Sequence, residues 1–418
     1  MTSLHPYRGW LVSPTAADRV VAPAYDSLSP AERGAVAAAQ PDSFLNVMRS
    51  PEDQPPGAAL DREELLAASR ATLDRLLAEG AFDRSARPAY QVLRMRRGEH
   101  VQTGVVGTVP VDDIGPVVRL HEETREDKED DLVRHLEVVG VESSPVGLVH
   151  RGPSPVADLL ARVTERAPDL TVTAEDGLEQ QVWTVAAEDD TAAIERAFRD
   201  VPALYLTDGH HRAAAAVRYA RRAGVQDGDA PPARLLVVVF PAAELRLEPY
   251  HRVVRGVGAD RADAVLAALA ERFTVTPVVV PGVPDPPDAA GAFLLHLADR
   301  WHRIRSAAPG AAADPVTALD VTVLQERILG PVLGIADPRT DERLEFVPGT
   351  RGLEELVRRA GDDGAAFALA PTDVTELMAV ADAGAVMPPK STWFEPKLRS
   401  GMFLYGVGPD WHGHDVVG

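Results

Sequence analysis

The sequence predicts an α+β fold, in which helices pack on a mixed β-sheet. Strand-like runs rich in β-branched residues recur along the 418 residues, together with segments whose apolar residues have helical spacing. The two kinds of segment alternate irregularly, which favours a mixed sheet over a regularly doubly wound one. No repeat of fixed period runs through the sequence, so a repeat architecture is not expected.

The first predicted elements are helices. Ser29, Pro30 and Glu32 stand at the N-cap, first and third positions of a capping box, so a helix is expected to begin there. A second helix is predicted over 59–80, because leucines recur at helical spacing and Gly80 ends the pattern. Both helices precede the β-rich part of the chain.

The middle of the chain is predicted to contain most of the strands. A turn at Arg97–Glu99 joins two strand-like runs into a hairpin. Strands at 146–150 and 181–185 are followed by a helix, the strand ALYLT and the helix HRAAAAVRYARRAG. The runs LLVVVF and LRLEPYHRVV suggest a further antiparallel pair, and a helix is expected over 261–272.

A proline-rich stretch suggests two domains. Val279 to Gly291 contains four prolines and is the clearest linker candidate. We therefore expect one domain over 1–280 and a C-terminal α/β region over 291–418 packed on it. In the C-terminal region we expect a hairpin (AFLLHLADRWHRIRS), a helix (DVTVLQERILGPVLG) and a strand that leads into a helix capped by Asp373.

The composition excludes several classes of protein. The chain has no cysteine, which excludes disulfides, zinc–thiolate sites, iron–sulfur clusters and thiol catalysis. The formal net charge of −20, from 43 basic and 63 acidic residues, makes nucleic acid a poor partner. No apolar run approaches the roughly 18 residues of a membrane helix, and the N-terminus lacks the pattern of a secretory signal. We therefore expect a cytoplasmic protein without a membrane or nucleic-acid partner.

The stretch DGHHR, which begins at Asp208, is the main candidate site. It lies between a predicted strand and a predicted helix, with Asp208 at the expected N-cap and Gly209 permitting close approach of a ligand. The unpaired N–H groups of the first helical turn and the helix dipole favour an anion, and Arg212 can clamp a phosphate. His210 and His211 offer donors, a general base or metal ligands. The alternative is an Asp-Gly turn that only caps a helix.

The acidic block HEETREDKEDD, which begins at His121, is a second candidate. A charge run of this kind usually forms the solvated face of a helix. Its first residues follow the apolar run VVRL, however, so His121 and Glu122 can point into a cleft from a strand end. Glu122 can then act as a base for a hydroxyl group or help to hold magnesium, while Arg125 and Lys128 supply positive charge. Because the fifth residue is Arg125, the block is not the zinc-protease pattern H-E-x-x-H.

The stretch PPKST near the C-terminus fails as a phosphate-binding loop. Counted from Gly384, Pro389 takes the place of the second glycine in G-x4-G-K-[ST], and proline has no N–H group for the amide cradle. The alternatives are a rigid turn packed on the core and an anion site made of side chains. The side chains available for such a site are Lys390, Ser391, Thr392, Lys397 and Arg399.

These motifs resemble two groups of known proteins. DGHHR followed by small residues resembles the phosphate-contacting box of the ParB/sulfiredoxin fold, seen as D-G-x-H-R in free-serine kinases. Over essentially the whole chain the sequence resembles a bacterial family catalogued as domain of unknown function 1015. The blocks that carry this resemblance are VAPAYD, HEETREDKEDD, DGHHR, PYHRVV and MPPKSTWFEPKLRSG. Members of that family tend to have histidine where this chain has Glu123, which weakens any role for that position.

The resemblance implies a ParB/sulfiredoxin-like core over 1–280 with N-terminal and inserted elements. It implies a nucleotide-dependent kinase with ATP or ADP as the nucleotide, Mg²⁺, and free serine or a related hydroxyl metabolite as the substrate. The catalytic candidates are Glu122, Asp208, His210 and His211. The candidate nucleotide-binding residues are Gly209, His211, Arg212, Arg125, Lys128, Lys390, Ser391 and Thr392.

Some alternatives stay open at this point. The chain can instead be a non-catalytic regulatory protein that binds a nucleotide or a phosphorylated metabolite at the same site. Metal ligands, the oligomeric state and the choice between Glu122 and Asp208 as the base are not decided by the sequence. A sulfiredoxin-type reductase is excluded, because that chemistry needs a cysteine.

Overall fold

The contacts of the chain divide it into two units. The computed structural model describes residues 2–54, 60–225, 227–306 and 314–411. The first unit comprises Met1–Leu245 and Pro396–Gly418, and the second comprises Arg246–Glu395. The chain therefore leaves the first unit once and returns to it once.

The observed division differs from the boundary expected between 280 and 291. The proline-rich stretch lies inside the second unit, where it joins two strands that pair with the same third strand. Proline disfavours a continuing strand because it has no N–H group for the ladder. The stretch is therefore a loop between two strands of one sheet, and it does not separate two domains.

Both chain segments of the first unit contribute strands. Strands and helices are numbered in the order of the chain. Its strands are β1 (Trp10–Val12), β2 (Phe82–Arg84), β3 (Tyr90–Arg97), β4 (His100–Pro110), β5 (Val118–Arg119), β6 (Val141–Glu142), β7 (Val146–His150), β8 (Leu170–Thr173), β9 (Glu179–Val185), β10 (Leu204–Asp208), β11 (Arg234–Pro241) and β20 (Phe403–Gly406). Its α-helices are α1 (Ala17–Val20), α2 (Pro30–Ala39), α3 (Arg62–Ala78), α4 (Glu126–Val138), α5 (Ala157–Thr164), α6 (Glu188–Arg199) and α7 (His210–Arg222).

The largest sheet of the first unit is mixed. Its eight strands have the order β5-β10-β7-β11-β4-β3-β9-β8, and a separate four-stranded sheet has the order β2-β1-β20-β6. In the larger sheet β10 runs parallel to β5 and β11 runs parallel to β7. The other neighbours in that sheet pair antiparallel. Helices combined with a mixed sheet confirm the predicted α+β class.

The central strand β11 is buried on both faces. The odd-numbered residues 235–239 belong to one apolar cluster, and the even-numbered residues 236–240 belong to another. Because successive side chains of a strand point to opposite faces, a strand covered on both sides needs a continuous apolar run. The run LLVVVF meets this requirement.

The second unit has its own sheet and its own apolar cluster. Its strands are β12 (Arg246–Glu248), β13 (Tyr250–Val254), β14 (Phe273–Val278), β15 (Ala292–Leu297), β16 (Arg300–Ser306), β17 (Leu344–Pro348), β18 (Ala365–Leu369) and β19 (Trp393–Glu395). Its α-helices are α8 (Ala262–Ala270), α9 (Pro315–Ala318), α10 (Asp320–Leu324), α11 (Gly330–Leu333), α12 (Leu353–Ala360) and α13 (Val374–Asp382). Six strands form a sheet of order β14-β16-β15-β18-β13-β17, and β12 pairs with β19.

Most of the predicted elements are present. The capping boxes before α2 and α13 form as expected, and the hairpins β3–β4 and β15–β16 are confirmed. Helix α3 begins at Arg62, and position 59, where its prediction began, lies outside the described residues. Helix α3 has 17 residues, and no helix in the described part is long and apolar enough to cross a membrane.

One predicted strand pair is wrong. The runs LLVVVF and LRLEPYHRVV do not pair with each other, because they lie in different units. Strand β11 pairs with β4 and β7, so both of its edges are occupied by other apolar strands. Strand β13 pairs with β17 and β18.

Candidate functional site

Two parallel strands bring the two main motifs together. Strand β5 pairs in parallel with β10 at one edge of the eight-stranded sheet. Because parallel neighbours end at the same side of a sheet, the residues after β5 lie close to the residues after β10. His121 and Glu122 follow the first strand, while Gly209 and His210 follow the second. The expectation that His121 and Glu122 lie just beyond a strand end is therefore met.

His121, Glu122 and His210 form a compact group, which we call the His–Glu–His cluster. Nδ1 of His210 lies 3.5 Å from one carboxylate oxygen of Glu122, and Nε2 of His121 lies 4.0 Å from the other. The two imidazole rings meet edge to face, with centroids 4.5 Å apart. Both histidines are buried, whereas 42% of the Glu122 side chain is exposed. The cluster therefore opens to solvent on the side of Glu122.

Burial keeps both histidines of the cluster uncharged at neutral pH. It lowers the pKa of His121 to about 3. Burial also lowers the pKa of His210 well below its ordinary value; the adjacent His121 adds to this shift and Asp208 opposes it. A neutral imidazole has one ring nitrogen with a free lone pair, so each ring can bind a metal ion through that atom.

Asp208 is held by two cations and does not cap helix α7. Its carboxylate accepts hydrogen bonds from Lys397 and Arg212, both at 2.6 Å. Burial opposes ionisation of Asp208, but the charges of Lys397 and Arg212 outweigh it and hold its pKa well below the usual range. The predicted N-cap role of Asp208 is therefore wrong, because the N-cap residue is Gly209, which has no side chain to cap the helix.

Arg212 is engaged by the protein itself. Besides Asp208, its guanidinium donates hydrogen bonds to the carbonyl oxygens of Ser144 and Pro145. Gly209 has a φ of 99°, and a Cβ at this position would lie 2.9 Å from the nearest guanidinium atom. The glycine thus allows Arg212 to fold back over the turn, and the arginine is not directed outward as the expected phosphate clamp.

The first turn of α7 nevertheless retains the properties of an anion site. The N–H groups of His210, His211 and Arg212 precede the first helical hydrogen bond, which runs from Ala213 to the carbonyl of Gly209. Free N–H groups and the helix dipole at such a terminus favour a phosphate or carboxylate. The position and geometry of the turn therefore agree with an anion site made of backbone groups.

Helix α4 lies against α7 through ion pairs. Arg218 of α7 contacts Glu129 at 2.9 Å and Asp130 at 2.7 Å. The acidic block is therefore not only a solvated helix face, since part of it fixes α4 to α7. Arg125 and Lys128, at the start of α4, lie close enough to affect the pKa of His211, which burial lowers most strongly.

The two cations of the acidic block have weak partners. Arg125 is 71% exposed and lies 2.7 Å from Asp127, and Lys128 lies 3.6 Å from Glu52. Exposed ion pairs of this kind contribute little to stability and exchange partners readily. Their contact with an anion at the first turn of α7 stays a prediction.

Lys390, Ser391 and Thr392 belong to the second unit. The hydroxyl of Ser391 donates a hydrogen bond to the carbonyl of Pro388, and the ammonium group of Lys390 lies 5.3 Å from the Tyr250 ring centre. These contacts are internal to the second unit, so the assignment of the three residues to a nucleotide site stays a prediction.

Two residues gain importance from the structure. The sequence marks His121 only as a neighbour of Glu122, and Lys397 only as one of several cations that can contact an anion. The apolar run before each histidine indicates a strand end, but the sequence does not show that the two strands are neighbours. Nothing in the sequence around Lys397 indicates its ion pair with Asp208.

The protein is thus of the α+β class, with the N-terminus of α7 and the His–Glu–His cluster close together at one edge of its largest sheet. The chain belongs to the family described as "Protein of unknown function (DUF1015)", whose model matches residues 4–322. This match confirms membership of the family over residues 4–322. The block MPPKSTWFEPKLRSG lies beyond those residues, and the resemblance of DGHHR to the ParB/sulfiredoxin box stays a prediction. No curated protein matches the chain.

Several solved structures are similar to the chain. A free serine kinase in complex with ADP is 13% identical, with a TM-score of 0.34 over 69% of this chain and 87% of that one. SbnI with a C-terminal truncation, from Staphylococcus aureus, is 12% identical, with a TM-score of 0.36 over 75% and 90% of the two chains. A conserved hypothetical protein from Pyrococcus furiosus is 14% identical, with a TM-score of 0.31 over 69% and 90%.

Proposed function

We propose that this protein is a nucleotide-dependent phosphotransferase that acts on a small hydroxyl metabolite. The observation that carries the proposal is the uncapped first turn of α7, which lies beside the partly exposed carboxylate of Glu122. A helix N-terminus binds phosphate through its N–H groups, and an adjacent carboxylate can accept the proton of an attacking hydroxyl group. The choice of free serine, and of ATP or ADP, rests on the resemblance of DGHHR to the box of free-serine kinases.

In this proposal Glu122 is the base, in preference to Asp208. The ion pairs of Asp208 with Arg212 and Lys397 stabilise its charged form and make it a poor proton acceptor. Glu122 is accessible to a substrate, and His210 lies close enough to orient its carboxylate.

The positive charge for the transferred phosphoryl group comes from Arg125 and Lys128 in this proposal. Both side chains are at the start of α4, and both affect His211 electrostatically. His211 and Gly209 belong to the turn that contacts the nucleotide. Mg²⁺ would enter with the nucleotide and be held mainly by phosphate oxygens.

Incubation of the purified protein with ATP or ADP, Mg²⁺ and serine tests the proposal, with phosphoserine detected by mass spectrometry. Replacing Glu122 with glutamine should lower kcat by at least about 100-fold, because a general base contributes on the order of 10²–10⁴-fold. The matched control is Glu123→Gln, which changes the adjacent exposed carboxylate and should leave the rate within about twofold of wild type. The proposal would be contradicted if the protein bound no nucleotide and formed no phosphorylated product from a panel of hydroxyl metabolites.

A non-catalytic nucleotide or phosphometabolite sensor is the second candidate. One observation favours it: Arg212 and Lys397 are both engaged in ion pairs with Asp208, which leaves fewer cations to stabilise transferred charge. A sensor would bind nucleotide tightly without turnover, and Lys128→Ala would weaken this binding. Turnover of any hydroxyl substrate would decide for the phosphotransferase.

A further inference from the structure

We infer that the His–Glu–His cluster is a binding site for a first-row divalent transition metal ion, with Zn²⁺ as the reference case. The remaining coordination positions would be filled by water or by an oxygen-bearing ligand such as phosphate. This inference goes beyond the proposed phosphotransfer and does not depend on it, because it concerns three protein ligands that are already close together. Glu122 cannot serve as the base while it binds the ion, so the metal-bound protein and the phosphotransferase are separate states.

The distances in the cluster are near those of a metal site. When ligand atoms lie about 2.0–2.1 Å from a tetrahedral zinc ion, they are roughly 3.4 Å from one another. The carboxylate of Glu122 lies 3.5 Å from His210 and 4.0 Å from His121. All three ligand atoms lie within 4.8 Å of one another. Small side-chain rotations are enough to bring them to one ion.

His121 provides a second, independent observation that points to a ligand. It is fully buried, and neither of its ring nitrogens makes a hydrogen bond of ordinary geometry within the part of the chain that the structure describes, although the ring lies near the backbone of Leu206. Buried polar atoms in proteins are nearly always paired. The ring meets the ring of His210 edge to face, which directs it into the cluster. A metal ion bound to His121 would supply the missing partner.

The backbone around the cluster is already fixed. His121 follows β5 and His210 begins α7, and the parallel pairing of β5 with β10 sets the separation of the two residues. Nε2 of His210 accepts a long hydrogen bond of 3.5 Å from the N–H of His121. If Nδ1 binds the metal, its proton moves to Nε2 and this bond is lost. The loss is small because the bond is weak: at 3.5 Å it is longer than the roughly 2.9–3.0 Å of a good N–H hydrogen bond.

The donor set selects against Mg²⁺. Magnesium prefers oxygen ligands in octahedral geometry and keeps several waters, whereas imidazole suits zinc, copper, iron and nickel. Two imidazoles and one carboxylate leave at least one coordination position open, as in metal sites that bind an exchangeable ligand. Because Glu122 is the exposed member of the cluster, the open position would face the solvent side.

Metal binding can be measured on the full chain without nucleotide or substrate. The protein is freed of metal with a chelator, and ZnCl₂, CoCl₂ or MgCl₂ is added in separate calorimetric titrations. We expect one equivalent of Zn²⁺ or Co²⁺ to bind, with visible Co²⁺ absorption bands, and no competition from millimolar Mg²⁺. Because no nucleotide is present, failure here and failure of the phosphotransfer assay are distinguishable.

Two variants and one control test whether Glu122 and His210 are ligands. Glu122→Gln and His210→Asn should each weaken Zn²⁺ binding by at least about 100-fold, since even residues that only support a ligand cost 10–100-fold. The matched control is His211→Gln, which changes the neighbouring histidine outside the cluster and should leave the Zn²⁺ affinity within about threefold. Thermal unfolding followed by circular dichroism shows whether each variant is folded.

Two results would overturn the inference. One is a folded wild-type protein that binds neither Zn²⁺ nor Co²⁺. The other is a folded Glu122→Gln or His210→Asn variant whose Zn²⁺ affinity equals that of His211→Gln.

Discussion

Asp208 joins the two cations nearest the start of α7 in ion pairs that are largely shielded from solvent. The exposed fractions of the side chains are 21% for Asp208, 27% for Arg212 and 14% for Lys397. Removing one member of a buried pair costs more than the pair contributes, because the remaining charges stay buried without compensation. Asp208 thus has a structural role that its position in a polar motif does not reveal.

Asp208→Asn should therefore destabilise the first unit. We expect the free energy of unfolding in urea to fall by about 2 kcal/mol, less than the roughly 3–5 kcal/mol of a fully buried pair, because all three side chains are partly exposed. The control is Asp127→Asn, whose partner Arg125 is 71% exposed; it should change the stability by less than about 0.5 kcal/mol. Equal, small effects of both variants would contradict this role of Asp208.

Because His251 is buried, we expect the stability of the second unit to depend on pH. Burial, aided by Arg252, lowers its pKa to about 4, and its Nδ1 accepts a hydrogen bond from the N–H of Leu369. An unfolded histidine titrates near pH 6.5, so below that pH the unfolded state binds a proton that the folded state does not. Stability should therefore fall as the pH drops from about 6.5 to 4, by about 1.4 kcal/mol per pH unit for this residue.

Comparison of the wild type with His251→Asn isolates this contribution from that of other buried histidines. Urea unfolding at pH 7, 6 and 5 gives the slope of stability against pH for each protein. We expect the slope of the variant to be smaller over the acidic part of this range. Identical slopes would show that His251 does not titrate differently in the folded and unfolded states.

At the scale of elements, the junction between β10 and α7 depends on Gly209. Its φ of 99° favours glycine, and an added Cβ would lie close to the Arg212 guanidinium. Gly209→Ala should therefore cost about 1–2 kcal/mol from backbone strain, plus the displacement of Arg212. It should also weaken anion binding at the first turn of α7.

Gly80 provides the matched control for this variant. It also has a positive φ, of 72°, but among the described residues no heavy atom beyond its chain neighbours lies within 4 Å of an added Cβ. Gly80→Ala should show the strain alone, so the difference between the two variants measures the Arg212 contact. If Gly80→Ala and Gly209→Ala lower the free energy of unfolding in urea by the same amount, the contact with Arg212 does not contribute to the effect.

The elements that local sequence determines were predictable, whereas those that depend on distant pairing were not. The capping boxes that begin α2 and α13 are local, so Ser29 and Asp373 identify these helix starts directly. The parallel pair β5–β10 joins segments that are far apart in the chain, and β5 is only two residues long. The candidate residues Glu122 and His210 could therefore be named from the sequence, but their proximity could not.

At the scale of the whole molecule, the chain enters and leaves the second unit at neighbouring positions. Strands β12 and β19 pair antiparallel, with Arg246 opposite Glu395. Paired residues on antiparallel strands have Cα atoms about 5 Å apart. The second unit therefore has the form of an inserted domain. The sequence did not indicate these boundaries, because neither junction has the composition of a linker.

This arrangement predicts that each unit folds alone. Residues 246–395 should unfold cooperatively as a separate protein, and the first unit should do so when a short Gly-Ser linker joins Leu245 to Pro396. The joined first unit should also retain Zn²⁺ binding, because His121, Glu122 and His210 all belong to it. Circular dichroism and calorimetry test both points. An unfolded 246–395 fragment together with an unfolded joined chain would contradict the division.

A crystal structure of the protein with ADP would show directly whether the first turn of α7 binds the nucleotide. Phosphate oxygens are expected within about 3 Å of the backbone nitrogens of His210, His211 and Arg212, with Arg125 or Lys128 turned toward the phosphates. A nucleotide bound elsewhere on the chain, with the first turn of α7 free of phosphate, would contradict this expectation.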